Sequence, residues 1–106
     1  MTAAAAVAFH MLLRQKVLSL REQIVQVAAA NGARNIRLFG SAARGADNEQ
    51  SDVDLLVSLE PGRTLMDLAR IEIGLEALLG RSVDVVPESG LREPIRSRVL
   101  RQAVNV

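Results

Sequence analysis

Apolar residues recur along this chain with two different spacings, and the change from one to the other separates predicted helices from predicted strands. From Leu13 to Ala28 they return every three or four residues, the period of one buried helical face. The members of this stripe are Leu13, Val17, Leu20, Ile24, Val27 and Ala28. Gly32, which follows Asn31, suits the left-handed residue that ends a helix. The pattern therefore predicts one continuous first helix.

A second helical pattern begins near Thr64, which has the spacing of a capping box with Asp67. Its expected buried stripe consists of Leu65, Leu68, Ile71, Leu75, Leu78 and Leu79. Gly80 is placed to end this helix. Gly74 lies inside it, where glycine costs about 1 kcal/mol relative to alanine, so we expect a close neighbour there.

Three aliphatic runs that stop at or before glycine or proline predict strands over residues 35–39, 52–59 and 83–86. A last helix is expected from Pro94, as its first helical residue, to about Arg101. The order is helix, strand, short helix, strand, helix, strand, helix. Alternating elements of this kind predict an α/β (α+β) fold, in which helices flank a small mixed sheet of three to four strands.

Length and charge set the broad class of the protein. With 106 residues and a net charge of +1, we expect a single domain over residues 13–106, after an N-terminal extension of residues 1–12. The nearly uncharged stretch up to Leu13 is shorter than the roughly 20 residues that cross a bilayer, and no basic residue precedes Arg14 as in a secretory signal. We predict a cytoplasmic protein with no membrane contact and no direct DNA binding.

Composition narrows the chemistry to a few residue types. The chain has no cysteine and one histidine, His10, which excludes disulfides, thiolate zinc sites, cysteine nucleophiles and a two-histidine metal motif. Trp and Tyr are absent and there are two Phe, which argues against base stacking on aromatic side chains. Carboxylates, hydroxyls and guanidinium groups remain as the candidate chemical groups.

The segment Gly40-Ser41-Ala42-Ala43-Arg44-Gly45 follows the first predicted strand directly. A strand that runs through Gly-Ser into a helical turn presents unpaired backbone N–H groups, which favour a phosphate. Ser41 can add a hydroxyl donor, and Arg44 can add positive charge. The same fragment is also compatible with an ordinary tight turn.

Three aspartates lie at or near the starts of predicted strands. Asp52 and Asp54 are two residues apart, so their side chains share one face of the second strand, and Asp84 lies in the third. If these strands are neighbours, the three carboxylates converge near the Gly40-Ser41 turn. Oxygen-rich clusters of this kind suit Mg²⁺ and two-metal phosphoryl chemistry. The alternative is a solvated strand edge, with Asp84 facing water or an arginine.

Together, Gly40-Ser41, Arg44-Gly45, Ser51-Asp52-Val53-Asp54-Leu55 and Val83-Asp84-Val85-Val86 resemble the minimal nucleotidyltransferases of the DNA polymerase β superfamily. The resemblance covers roughly residues 17–106. Within that family, the chain looks most like the small antitoxins that are paired with HEPN-domain toxins.

The resemblance implies a nucleotidyltransferase fold and transfer of AMP from ATP to a tyrosine hydroxyl of the partner toxin, which silences its RNase activity. It assigns Gly40 and Ser41 to the β and γ phosphates, with Arg44 as a phosphate or structural contact. It also implies that Asp52 and Asp54 bind two Mg²⁺ ions, and that Asp84 binds one and assists deprotonation of the acceptor.

Three functional interpretations follow from this pattern, and the third, transfer to a small molecule or to an RNA end, is disfavoured by the lack of an acceptor-binding domain. In the first, the chain is a Mg²⁺-dependent enzyme that adenylylates a HEPN-type toxin within a hetero-oligomer. Because a chain of 106 residues has little room for an acceptor-binding domain, we expect another protein to present the acceptor. In the second, the chain binds a nucleotide as a structural ligand and blocks its partner sterically, without catalysis.

Overall fold

The computed structural model describes residues 13–106, and the predicted extension of residues 1–12 lies outside this range. In chain order, the elements are α1 (residues 13–19), α2 (Arg21–Ala30), β1 (Ala33–Phe39), α3 (Gly40–Arg44), β2 (Val53–Leu59), α4 (Leu65–Leu79), β3 (Val83–Pro87), a 3₁₀ turn (Glu88–Gly90), α5 (Ile95–Gln102) and β4 (Val104–Asn105). The predicted mixed α/β class is confirmed. Among residues 13–106, none of the helices combines the length and the apolar character that a membrane span requires.

The first helical region is two helices, α1 and α2, and the prediction of one continuous helix is wrong at Leu20. Leu20 has φ −103° and ψ 18°, away from helical values. At the preceding residue, the hydroxyl of Ser19 donates a hydrogen bond of 2.8 Å to the carbonyl of Lys16. A serine that bonds back into its own turn competes with the backbone ladder and bends a helix. The apolar stripe continues across the bend, since Val17 and Ile24 are both fully buried.

The four strands form one mixed sheet in the order β3-β2-β1-β4. β1 runs antiparallel to both β2 and β4, whereas β3 runs parallel to β2. The strand β4, Val104–Asn105, has two residues and pairs with Arg37 and Leu38 of β1. A strand this short has no alternating pattern, so periodicity does not reveal it.

One face of the sheet packs against the helices and forms the core. Alternate strand residues point to this face; the buried ones are Ile36, Leu38, Val53, Leu55, Val57, Val83 and Val85. The helices α2 and α4 cover them and approach each other closely at Gly74. A Cβ atom there would come within 2.9 Å of Cγ1 of Val27, which confirms the expected tight contact.

The helix α4 begins as the sequence predicts. The Asp67 carboxylate accepts a 2.8 Å hydrogen bond from the N–H of Thr64, whose hydroxyl accepts one of 3.2 Å from the N–H of Met66. The expectation for Leu65 is wrong, because 81% of this residue is exposed. The helical period places Leu65 about 80° around the helix from Leu75, beyond the edge of the buried face.

The opposite face of the sheet carries Asp54 and Asp84, together with Arg37 and the fully buried Leu56. Asp54 alternates with buried Val53 and Leu55, and Asp84 alternates with Val83 and Val85 in the same way. Both aspartates therefore project from the face that α2 and α4 leave uncovered.

Candidate active site

The turn between β1 and α3 brings the backbone against a carboxylate. Phe39 ends β1 in an extended conformation, and Gly40 follows with φ +74°. A Cβ atom on Gly40 would overlap the carboxylate of Asp54, which is the β2 residue opposite Phe39. Glycine is therefore required here both for its backbone conformation and for the close approach of Asp54. The helix α3 begins at Gly40, so the N–H groups of Gly40 and Ser41 have no acceptor within the helix.

The three predicted aspartates form one electrostatic cluster. Asp54 and Asp84 are paired residues of the parallel strands β2 and β3, which lie about 4.8 Å apart. Asp52 is exposed and lies two residues before Asp54. Burial raises the pKa of Asp54, and the negative charges of Asp84 and Asp52 raise it further, while Arg44 opposes the shift. The structure thus brings Gly40, Arg44 and all three carboxylates to one end of the sheet.

Arg44, the last residue of α3, also has a structural contact. Its Nη1 donates to Oε1 of Gln102 at 3.4 Å, which joins α3 to the C-terminal turn of α5. One guanidinium thus reduces the repulsion at Asp54 and ties the Gly40-Ser41 turn to the last helix. Its contact with a phosphate stays a prediction.

Sequence reasoning missed Arg81, which holds the loop that leads to Asp52. Its Nη2 donates to the carbonyls of Asn48 and Ser51, at 2.8 and 2.5 Å. The loop before β2 is thereby tied to the residues just before β3. No local pattern marks this role, because the two segments are about thirty residues apart in sequence.

Sequence reasoning also missed two glutamates of α4 that reach β3. Oε2 of Glu76 accepts a 3.0 Å hydrogen bond from the N–H of Val83. Glu72 lies within hydrogen-bonding reach of the N–H of Val85; burial raises its pKa, and Asp84 and Glu76 contribute in the same direction. The feature of the sequence that could have indicated these two glutamates is their spacing, since they lie one turn apart on a helix rich in apolar residues.

The carboxylates of Asp52, Asp54 and Asp84 fit a Mg²⁺ site in which water and substrate supply part of the coordination, and not one formed by protein ligands alone. Within residues 13–106, no group of three or more His, Cys, Asp or Glu side chains is arranged to hold a metal by itself. Mg²⁺ usually binds one or two carboxylates and takes its remaining oxygens from water and substrate phosphates. The Asp52, Asp54 and Asp84 cluster beside the Gly40-Ser41 turn offers that chemistry, since its carboxylates repel one another at Asp54.

The geometry thus joins a glycine turn, an arginine and three carboxylates at one end of the sheet, and comparison with known proteins identifies the family that has this fold. The chain matches the family model described as a nucleotidyltransferase domain over residues 20–105. The protein therefore belongs to the nucleotidyltransferase domain family, and the resemblance read from the motifs is confirmed.

Individual relatives show which members of the family this chain is similar to. The protein adenylyltransferase MntA of Thermococcus cleftensis is 47% identical over 75 residues, which cover 71% of this chain and 76% of that protein. A solved structure assigned as a minimal nucleotidyltransferase has 46% identity and a TM-score of 0.79, covering 88% of this chain and 95% of that one. A crystal structure of a toxin–antitoxin with AMP-PNP has the same fold, with a TM-score of 0.68 and 22% identity; the match covers 79% of this chain and 69% of that one.

Proposed function

We propose that this protein is an antitoxin that transfers AMP from ATP to a tyrosine hydroxyl of a HEPN-type toxin and so neutralises its RNase activity. The observation that carries the proposal is the position of Asp54, which lies between the Gly40 turn and Asp84. Similarity to a protein adenylyltransferase supports AMP as the transferred group, and the toxin–antitoxin fold neighbour supports a protein acceptor.

In the reaction, the tyrosine oxygen forms a bond to the α-phosphorus of ATP. The bond from this phosphorus to the oxygen of the β-phosphate breaks, and pyrophosphate leaves. The N–H groups of Gly40 and Ser41 hold the β and γ phosphates, and Asp84 accepts the proton of the acceptor hydroxyl. Asp52 and Asp54 would hold two Mg²⁺ ions, and Asp84 one of them; bound there, the ions supply positive charge to the attacking and leaving oxygens.

The electrostatics of the site support this assignment. A carboxylate that is partly buried and faces two others is unfavourable in its ionised form, as the raised pKa of Asp54 indicates. A fold that retains such a group gains from a bound cation, which turns the repulsion into attraction. Arg44 is placed to share the charge of a bound triphosphate, since it already acts on Asp54.

The test is to incubate the protein with purified HEPN-type toxin, MgCl₂ and ATP, and to weigh the toxin by mass spectrometry. We expect the toxin to gain the mass of one or more AMP units on tyrosine. The Asp52→Asn/Asp54→Asn variant should transfer none, because removing a metal-binding carboxylate pair costs the charge stabilisation of the leaving group. Glu49→Gln is the matched control, because this exposed carboxylate lies in the loop just before Asp52.

Co-expression separates catalysis from steric inhibition. If the wild-type chain protects cells from the toxin and the folded Asp52→Asn/Asp54→Asn variant does not, neutralisation requires transfer. If the variant protects equally well and the toxin keeps its unmodified mass, the protein acts by blocking its partner, and the enzymatic proposal is wrong.

A further inference from the structure

The third aspartate of the site belongs to a strand that has a partner on one side only. β3 is at the edge of the sheet, and its sole strand neighbour among the described residues is β2. Register along such a strand is held by one ladder of hydrogen bonds and by whatever covers the outer side. The position of Asp84 therefore depends on how the free edge of β3 is held.

The backbone pattern identifies the groups on that edge. Val53 donates its N–H to the carbonyl of Ser82 at 2.9 Å, which sets the phase of the parallel ladder between β2 and β3. In a parallel ladder, alternate residues bond to one side. Asp84 thus bonds toward β2, whereas the N–H groups of Val83 and Val85 point away from it.

The helix α4 supplies acceptors for these two N–H groups. Glu76 accepts from Val83 at 3.0 Å, and Glu72 lies within reach of the N–H of Val85. The two glutamates are one helical turn apart, so a single side of α4 reaches the residues on both sides of Asp84. We call Glu72 and Glu76 the acidic pair.

We propose that the acidic pair positions Asp84 for the transfer reaction, by fixing the edge strand that carries it against α4. This inference rests on the proposed function, in which Asp84 binds metal and receives the acceptor proton. The 3.0 Å bond from Val83 to Glu76, and the Glu72 carboxylate within reach of the Val85 N–H, act on both sides of residue 84 and restrict sliding and twisting of β3. The pair touches the strand and not the substrate, so its members are positioning residues.

The acidic pair also places negative charge near Asp84, which is electrostatically unfavourable. Glu72 carries negative charge close to Asp84, and the two carboxylates repel. Charge-assisted hydrogen bonds to backbone N–H groups are stronger than neutral ones, which offsets this repulsion. Glutamine keeps an acceptor oxygen but has no charge, so Glu→Gln and Glu→Ala variants separate positioning from charge.

The test compares Glu72→Ala/Glu76→Ala with Glu72→Gln/Glu76→Gln in the full chain. In the alanine variant, we expect kcat for AMP transfer to fall by roughly 10²-fold, as for misplacement of a catalytic group by an ångström. KM for ATP should change little, because the Gly40-Ser41 turn is untouched. The glutamine variant should recover most of kcat.

Amide hydrogen exchange provides a readout that needs no toxin and no ATP. The N–H groups of Val83 and Val85 should exchange at least roughly tenfold faster in the alanine variant, since Val83 loses its hydrogen-bond acceptor and Val85 loses the carboxylate within its reach. They should stay protected in the glutamine variant. Glu22→Ala, an exposed glutamate of α2, is the matched control and should leave both measurements unchanged.

Wild-type kcat in the alanine variant, or equal losses of kcat in the alanine and glutamine variants, would overturn the positioning role. Unchanged exchange at Val83 and Val85 would show that the pair does not hold the strand. Either result leaves the proposed function intact if the wild-type protein still modifies the toxin. Failure of the wild-type protein itself to transfer AMP would instead contradict the proposed function.

Discussion

Asp54 is the residue at which stability and function oppose each other. It is half-buried, its carboxylate lies against Gly40, and two further carboxylates act on it. A group whose pKa is raised by folding is more favourable when neutral. The folded state therefore loses stability as the pH rises from the ordinary value of 3.8 through the raised pKa of Asp54.

For this reason, we expect Asp54→Asn to raise Tm at pH 7 in the absence of divalent cations, although it abolishes transfer. The amide removes the repulsion from Asp84 and Asp52 and keeps the shape of the side chain. Differential scanning calorimetry across pH should show the two melting curves converging below pH 3.8, where the wild-type carboxyl is neutral as well. A variant that melts below the wild-type protein at pH 7 would contradict this reading of Asp54.

Gly40 and Gly45 form a matched pair, because both have left-handed backbones, with φ +74° and +69°. Gly40→Ala should lower the free energy of unfolding by about 1–3 kcal/mol through backbone strain, and should also displace Asp54. Gly45→Ala should lower the free energy of unfolding by about 1–2 kcal/mol, from backbone strain alone, because no atom lies within 4 Å of the added Cβ.

Titration calorimetry with AMP-PNP and MgCl₂ separates the two glycine variants. We expect nucleotide binding to be lost in Gly40→Ala and retained in Gly45→Ala. Equal affinities in the two variants would show that the contact between Gly40 and Asp54 has no part in nucleotide binding.

At the scale of elements, α4 connects the core to the site. Its apolar side covers the sheet, its N-terminus is closed by Thr64 and Asp67, and its acidic pair holds β3. The capping box was predictable because it depends only on residues three apart in sequence. The break at Leu20 and the strand β4 were not, because the first arises from a serine hydrogen bond and the second from pairing with a distant strand.

Thr64→Ala should lower the free energy of unfolding by about 1 kcal/mol, the usual cost of losing an N-cap acceptor. Thr64→Ser keeps the hydroxyl and should retain most of the stability. Urea denaturation followed by circular dichroism measures both. Equal midpoints for the alanine variant and the wild-type protein would mean that the hydrogen bond from Met66 to Thr64 does not stabilise α4.

In the molecule as a whole, an ionic cluster joins the sheet face that carries Asp54 and Asp84 to the C-terminal helix. Arg37, buried on β1, donates to Oε2 of Glu88 at 2.9 Å, and Arg96 of α5 reaches Oε1 at 3.2 Å. The hydrogen bond from Arg37 holds the pKa of Glu88 below its ordinary value of 4.5, and both arginine charges lower it further. Stability from this carboxylate is therefore present above pH 4.5 and is lost as the pH falls from there.

Glu88→Gln should accordingly destabilise the fold by about 1–2 kcal/mol at pH 7, since two guanidinium groups lose their counter-charge and part of that charge is screened by water. Chemical denaturation at several pH values should show the difference shrinking below pH 4.5. Glu22→Gln, on the exposed side of α2, is the control without an effect. A difference that does not change with pH would assign the loss to packing instead of charge.

The chemical groups available, the order of most elements and the spacing of Gly40-Ser41 and Asp52-Asp54 can all be predicted from the sequence. These features depend on residue type and on distances of a few residues, which periodicity and motif spacing record. Folding adds two further relations: β3 lies parallel to β2, so that Asp84 is beside Asp54, and Arg81 and the acidic pair hold the adjoining segments. Those relations join residues that are distant in the chain, and they arise from packing and hydrogen bonding that no local pattern encodes.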